Sequence, residues 1–148
     1  MASNGAPMFA QPLATWEREG LKAALLRAGQ PTDDVEDEST LFWRFERDDV
    51  PVGFAGLEVH GQDALLRSIV TLPPLRQSGV GAAMVAKIEV EARARGAQAV
   101  YLVTQGDDAF FTKIGYARCE REQVPPAIAT TPLFARLEAS ATAMVKQI

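Results

Sequence analysis

One stretch has the residue types and spacing of an anion-binding loop: Ile69-Val70-Thr71-Leu72-Pro73-Pro74-Leu75-Arg76-Gln77-Ser78-Gly79-Val80-Gly81. A β-branched apolar run ends at two prolines, neither of which can donate to a strand ladder. Arg76 follows, and then two glycines open a long helical pattern. The first amides of a helix have no intrahelical acceptor and carry partial positive charge, so they can cradle an anion. Glycine lets the backbone approach where a Cβ would hold a phosphate away, and Arg76 adds a neutralising charge. Two other glycine-loop chemistries need residues this chain lacks. A dinucleotide fingerprint requires a third glycine where Met84 stands, inside a parallel βαβ unit. A P-loop requires Gly-Lys followed by Ser or Thr, and the sequence has no such triplet. Two further side chains stand out. Glu58 is the only charge in the apolar run from Val52 to Val59, and the forked guanidinium of Arg67 suits a carboxylate or another oxyanion. Arg44, Arg118 and Arg121 are weaker candidates of the same kind, read mainly as surface pairs.

Composition narrows the chemistry. The chain has 148 residues, 47% hydrophobic and 23% charged, which reads as one globular domain over residues 1–148 with 1–7 as a frayed tail. Fifteen Lys and Arg against nineteen Asp and Glu give a net charge of −4, and a mildly acidic domain is a poor nucleic-acid binder. One cysteine, Cys119, and one histidine, His60, leave no zinc or disulfide framework. Cys119 reads as a small apolar side chain, and His60 as a turn-end residue beside Gly61. No apolar run reaches the roughly 20 residues that cross a bilayer, and no basic-then-apolar leader opens the chain. The expectation is a cytoplasmic protein with no metal, nucleic-acid or membrane partner.

The pattern predicts the elements that position these residues. Met8–Leu13 is a short first strand, and Thr15 caps a helix to about Ala28 with Trp16, Leu21, Ala24 and Leu25 on its apolar stripe. Strands at Leu41–Arg47, Val52–His60 and Ala64–Leu72, with short connections, form an antiparallel meander. A helix from Gly79 to Arg95 turns Val80, Met84, Ile88 and Ala92 to the core, with Glu89–Arg93 and Glu91–Arg95 as outer pairs. A strand at Ala99–Thr104, a helix at Asp107–Ile114, a strand at Tyr116–Arg121 and a last strand at Ala141–Lys146 follow, and a short helix is expected within Val124–Leu137. Strict alternation along Ala64–Leu72 puts Arg67, Ile69 and Thr71 on one face and Ser68 on the other. The fold class is α/β (α+β): a mixed, mostly antiparallel sheet of six to seven strands with about four helices on both faces.

Arg76-x-x-Gly79-x-Gly81 after a strand ending in an x-Pro turn resembles the acetyl-CoA signature of the GNAT (GCN5-related N-acetyltransferase) superfamily. Ala109-Phe110-Phe111-Thr112-Lys113-Ile114-Gly115-Tyr116 is similar to the helix and Gly-aromatic pair that ends many GNAT cores. The two marks stand at the family's spacing, and with the meander the likeness covers roughly residues 41–121. Gly56-Leu57-Glu58, Leu65-Leu66-Arg67-Ser68 and the Pro125…Ile128…Thr131…Phe134 tail also resemble acetyltransferases associated with arsenic resistance. The tail and the Phe-Phe helix resemble the acetyltransferase domain of N-acetylglutamate synthases as well.

The resemblance implies a GNAT fold and an acetyl-CoA-dependent N-acetyltransferase in which a small amine attacks the thioester directly. The amine is amino-acid-like, with a glutamate-like compound or an arsenical analogue among the candidates. The implied cofactor contacts are Ile69, Val70, Thr71, Arg76, Gln77, Ser78, Gly79, Val80, Gly81, Ala82 and Phe111: backbone of the strand for the pantetheine arm, amides of the loop and helix start for the diphosphate. Arg67 is the implied substrate contact and Glu58 the general base, which suffices because an α-amino group ordinarily titrates near ~7.7–8.0. The family's usual base glutamate, early in the next strand, corresponds here to Leu65. Its usual tyrosine acid corresponds to Phe111, which has no proton to give, while Tyr101 and Tyr116 read as core residues. These two departures keep a second reading open, a catalytically weak GNAT-fold module that binds or senses acyl-CoA. A homodimer fits the resemblance.

Overall fold

The computed structural model describes residues 7–30, 32, 35, 39–72, 79–131, 134 and 140–148. Residues 1–6 of the expected 1–7 tail, most of the acidic segment after Gln30, and Arg76, Gln77 and Ser78 lie outside the described residues.

The elements run β1 (Met8–Pro12), a 3-10 turn (Thr15–Glu17), α1 (Glu19–Arg27), β2 (Leu41–Arg47), β3 (Val50–His60), β4 (Asp63–Thr71) and α2 (Val80–Ala94). Then come β5 (Ala99–Thr104), α3 (Asp108–Lys113), β6 (Ala117–Cys119), a 3-10 turn (Arg121–Gln123), α4 (Pro126–Ala129) and β7 (Thr142–Gln147). The seven strands form one mixed sheet in the order β1-β2-β3-β4-β5-β7-β6. The pairs β1–β2, β2–β3, β5–β7 and β6–β7 are antiparallel and β4–β5 is parallel. Among the described residues no helix is long and apolar enough to cross a membrane. The chain divides into two compact units, Met1–Leu57 with Ser68–Ile88 and Glu58–Arg67 with Glu89–Ile148.

The core of the first unit gathers Leu13, Leu21, Ala24, Leu25, Val35, Phe42, Phe54 and Val70. Its first helix differs from the expectation. Thr15 caps nothing with its side chain; instead a 3-10 turn forms, in which the Ala14 amide donates to Glu17 Oε1 at 2.9 Å. The helical course breaks at Arg18, at φ −94° and ψ 8°. The cause is the Arg18 side chain, which is buried, donates to the Val35 carbonyl at 2.7 Å and lies over the Phe42 ring at 4.7 Å. Trp16, expected on the apolar stripe, is left 85% exposed. The β2–β3 hairpin turns on Asp48 and Asp49, both left-handed at φ 52° and 64°, as a two-residue type I′ connection requires. Strand β3 therefore starts at Val50 rather than Val52, and Pro51 is accommodated where the ladder shifts register opposite Glu46.

In the second unit Leu65, Val124, Ile128 and Ala143 form an apolar cluster with Tyr101, Cys119, Ala129 and Phe134 packed against it. Helix α3 ends in a Schellman closure: Gly115 N–H bonds the Thr112 carbonyl at 3.1 Å and Tyr116 N–H the Phe111 carbonyl at 2.9 Å. Gly115 is left-handed at φ 107°, and a Cβ there would lie 3.1 Å from Lys146 Cε, so both backbone and packing require glycine. Along α2, Val80, Met84, Ile88 and Ala92 are all buried, as the fourfold spacing predicts.

Candidate functional site

Strand β4 is the element on which the site is built. Its ladder with β5 pairs Asp63, Ala64 and Leu65 with Ala99, Val100 and Tyr101. Three residues further on, Ser68 takes a left-handed backbone at φ 56°, rare for a residue with a Cβ. This bulge interrupts the two-residue alternation, so the expected common face of Arg67, Ile69 and Thr71 is not kept.

Beyond the bulge, Leu72 N–H donates to the Val52 carbonyl on β3 at 2.9 Å. The Val70 carbonyl also faces that side, since a Cβ on Gly53 would lie 2.5 Å from its oxygen. Backbone polar groups of an extended strand alternate sides, so those of Ile69 and Thr71 turn away from β3. The Ile69 carbonyl accepts a hydrogen bond from Gln30 Nε2 at 3.0 Å. Val70, expected with these two as a cofactor contact, instead buries its side chain in the core and its backbone against β3.

The same stretch of chain leads to α2. The first bond within this helix runs from Ala83 N–H to the Gly79 carbonyl at 3.2 Å. The amides of Val80, Gly81 and Ala82 therefore have no acceptor inside the helix and carry its positive end. Val80 adds only its amide, because its side chain is 1% exposed. This start can hold an anion; the remainder of the predicted cradle, Arg76 to Ser78, lies outside the described residues.

In the second unit Glu58 and Arg67 meet directly. Arg67 Nη1 donates to Glu58 Oε2 at 2.6 Å, with side chains only 7% and 5% exposed for Arg67 and Glu58. The other carboxylate oxygen, Oε1, lies 3.1 Å from His60 Nε2, and the His60 ring is 29% exposed. Sequence reasoning singled out Glu58 and Arg67 for separate roles and did not pair them. Residues i and i+2 of a strand share a face, a signal that linked His60 to Glu58.

Phe111 is buried among aromatic rings, edge-on to Phe110 at 4.9 Å and to Tyr116 at 5.9 Å. Tyr116 is 2% exposed and donates its hydroxyl to Glu89 Oε2 at 2.9 Å. Burial first, then the Glu89 charge and that hydrogen bond, raise the Tyr116 pKa far above the usual phenol value of 10.0. Lys146 Nζ donates to Glu89 Oε1 and to the Ile114 carbonyl, each at 3.1 Å. Glu89 is thus the buried centre of a polar cluster rather than the outer partner of Arg93. The sequence carried a faint sign of it: Glu89 directly follows Ile88 of the core stripe. The Glu91–Arg95 pair forms as predicted, at 2.5 Å.

The other arginines are engaged elsewhere: Arg44 with Glu46 at 2.7 Å, Arg118 with Asp108 at 2.5 Å and Arg121 with the Ala141 carbonyl at 3.1 Å. Burial pushes the Cys119 thiol pKa up, and its S–H donates to the next carbonyl, that of Glu120. A raised thiol is a poor nucleophile and metal ligand at neutral pH.

Residues 8–116 match the family described as the acetyltransferase (GNAT) family. A search of curated proteins finds no match. Among solved structures, the chain is similar to N-acetylglutamate synthase from Neisseria gonorrhoeae complexed with coenzyme A and N-acetyl-glutamate. The TM-score is 0.79 at 14% identity, over 96% of this chain and 35% of that one. This chain therefore spans about a third of the synthase. A GNAT-family acetyltransferase from Staphylococcus aureus aligns at TM-score 0.75 and 14% identity, over 95% of this chain and 99% of that one. A Mycobacterium tuberculosis protein in complex with CoA aligns at 0.73 and 18%, over 96% and 99%. At these identities the likeness establishes the fold.

Proposed function

The chain belongs to the acetyltransferase (GNAT) family, and on that premise we propose that it transfers the acetyl group of acetyl-CoA to the amine of a small, amino-acid-like acceptor. The observation that carries this is one continuous run of backbone: Ile69 and Thr71 turn their polar groups away from β3, and the chain then leads to the amides of Val80, Gly81 and Ala82 at the start of α2. The first can bond an extended amide chain as an added strand, and the second can hold a diphosphate. The matched family segment includes parts of both compact units, which supports reading the chain as one acetyltransferase domain.

When bound, acetyl-CoA supplies an activated thioester carbonyl. Around it, the residues of this chain bind, orient and move protons. Ile69 and Thr71 align the pantetheine arm, and the α2 amides with Arg76 neutralise the diphosphate. Glu58 takes the proton of the attacking amine as the new C–N bond forms and the C–S bond breaks. Phe111 has no proton to give the leaving sulfur, so water or another residue would supply it. Arg67 holds Glu58 in place, and its guanidinium is the contact for an acceptor carboxylate or arsenical oxyanion.

A second reading, an acyl-CoA-binding or sensing module, is favoured by two specific observations: Phe111 at the position of an acid, and Glu58 engaged by Arg67 at 2.6 Å. Thiol release from acetyl-CoA, measured across amino acids and amines, separates the two. Turnover with a free amine supports the transferase, and micromolar CoA binding without turnover on the whole panel supports the module. Gly81→Trp should abolish CoA binding by filling the helix start. A folded Gly81→Trp protein that keeps wild-type CoA affinity would overturn the site itself.

A further inference from the structure

Helix α1 closes with Gly29 N–H on the Leu26 carbonyl at 3.1 Å and Gln30 N–H on the Leu25 carbonyl at 2.9 Å. This Schellman closure fixes the Gln30 backbone, and the Gln30 side chain then reaches 39 residues along the sequence to the Ile69 carbonyl. That carbonyl faces away from β3, on the side where a strand-like ligand would pair, and a ligand amide adding to the edge must place its N–H where Gln30 Nε2 now sits. A side-chain amide and a backbone-like amide present the same donor chemistry, so only one of them occupies this in-line position at a time.

We propose that Gln30 is a competing occupant of the cofactor edge: its side-chain amide caps the Ile69 carbonyl in the free protein and must leave when the pantetheine arm of acyl-CoA arrives. The proposal rests on the reading above that this edge takes that arm. In the free protein the cap keeps a part-buried acceptor satisfied, which a bare edge would not. On binding, the exchange lowers affinity, because the Gln30 hydrogen bond is given up for the one the ligand makes to the Ile69 carbonyl.

The test is calorimetric titration of wild type, Gln30→Ala and Gln30→Met with CoA and, separately, with ADP, which carries the diphosphate without the pantetheine arm. Removing the cap should tighten CoA binding about 2- to 12-fold, the equilibrium effect of one neutral hydrogen bond, and leave ADP affinity unchanged. Gln30→Met keeps the length of the side chain but donates nothing, so it carries the test should Gln30→Ala fail to fold. In wild type, the Gln30 side-chain amide resonances should move to free-solvent positions on adding CoA and stay in place on adding ADP. Unchanged or weakened CoA binding in the folded variants overturns the proposal, as does equal tightening of CoA and ADP. Wild type that binds neither ligand overturns the cofactor site as well.

Discussion

Removing Arg67 alone should cost more stability than removing Arg67 and Glu58 together. Arg67 Nη1 and Glu58 Oε2 are 2.6 Å apart and both side chains are under a tenth exposed. In Arg67→Met the carboxylate stays buried, with His60 near its other oxygen at 3.1 Å. Breaking a buried pair from one side costs about 3–5 kcal/mol, because the remaining charge keeps its desolvation penalty and loses its compensation. Glu58→Gln removes the negative charge facing the guanidinium, but the amide oxygen retains one hydrogen bond, so the loss falls by about 1 kcal/mol to roughly 2–4 kcal/mol. The double variant Glu58→Gln/Arg67→Met removes both charges, and exchanging a whole buried pair for apolar or neutral groups is often near neutral. A double-mutant cycle from urea unfolding should therefore return a coupling of at least about 2 kcal/mol. Single losses below about 1 kcal/mol that simply add would refute the claim that the pair is dry and mutually dependent. Activity gives an independent readout: Glu58→Gln should lower kcat while leaving CoA affinity alone. An unchanged kcat removes Glu58 from the chemistry whatever the cycle shows.

Two more predictions concern the frame of the site. The Tyr116 pKa is raised in the folded state, so the unfolded chain loses this proton first and wild-type stability falls as pH climbs above 10.0. Tyr116→Phe should remove about 1 kcal/mol of that fall between pH 10 and 11, and parallel stability–pH curves for the two proteins would contradict the buried hydroxyl. Gly53→Ala places a Cβ 2.5 Å from both the Val70 carbonyl oxygen and Met84 Sδ, so overpacking should cost about 1–3 kcal/mol and several degrees of Tm. Met84→Ala should not restore it, since the carbonyl contact remains; a Gly53→Ala protein as stable as wild type would show that β3 and β4 part easily.

Periodicity carried most of the fold into view. The fourfold apolar spacing of α2 and the apolar run of β3 are local signals, and both marked buried residues correctly. What periodicity missed lay in single side chains that act at long range. Trp16 and Arg18 illustrate it: helical spacing put the tryptophan inside, whereas the arginine turned inward to bond the Val35 carbonyl and lie over Phe42. Glu89 is a similar case, read as half of an i,i+4 surface pair but claimed by Tyr116 and Lys146, 27 and 57 residues away. Ser68 is the most consequential. Serine tolerates a left-handed backbone only at some energetic cost, so nothing in Arg67-Ser68-Ile69 announces that alternation stops there. That one residue separates Arg67, which turns to Glu58, from Ile69, whose carbonyl meets Gln30.

The two buried carboxylates also divide by what surrounds them. Both oxygens of Glu89 are taken by fixed donors, a phenol and an ammonium, and the same lysine ties down the Ile114 carbonyl before Gly115. A carboxylate held on both sides by fixed donors is part of the frame, and Glu89 fixes the Gly115-Tyr116 turn. Glu58 is different. One oxygen is held by Arg67, and the other faces an imidazole that is 29% exposed and can act as donor or acceptor according to its tautomer. A neutral imidazole beside Glu58 can accept a proton from it, whereas the Lys146 ammonium beside Glu89, also 29% exposed, has donors only. That difference in surroundings supports the proposal that Glu58, rather than Glu89, acts as the base.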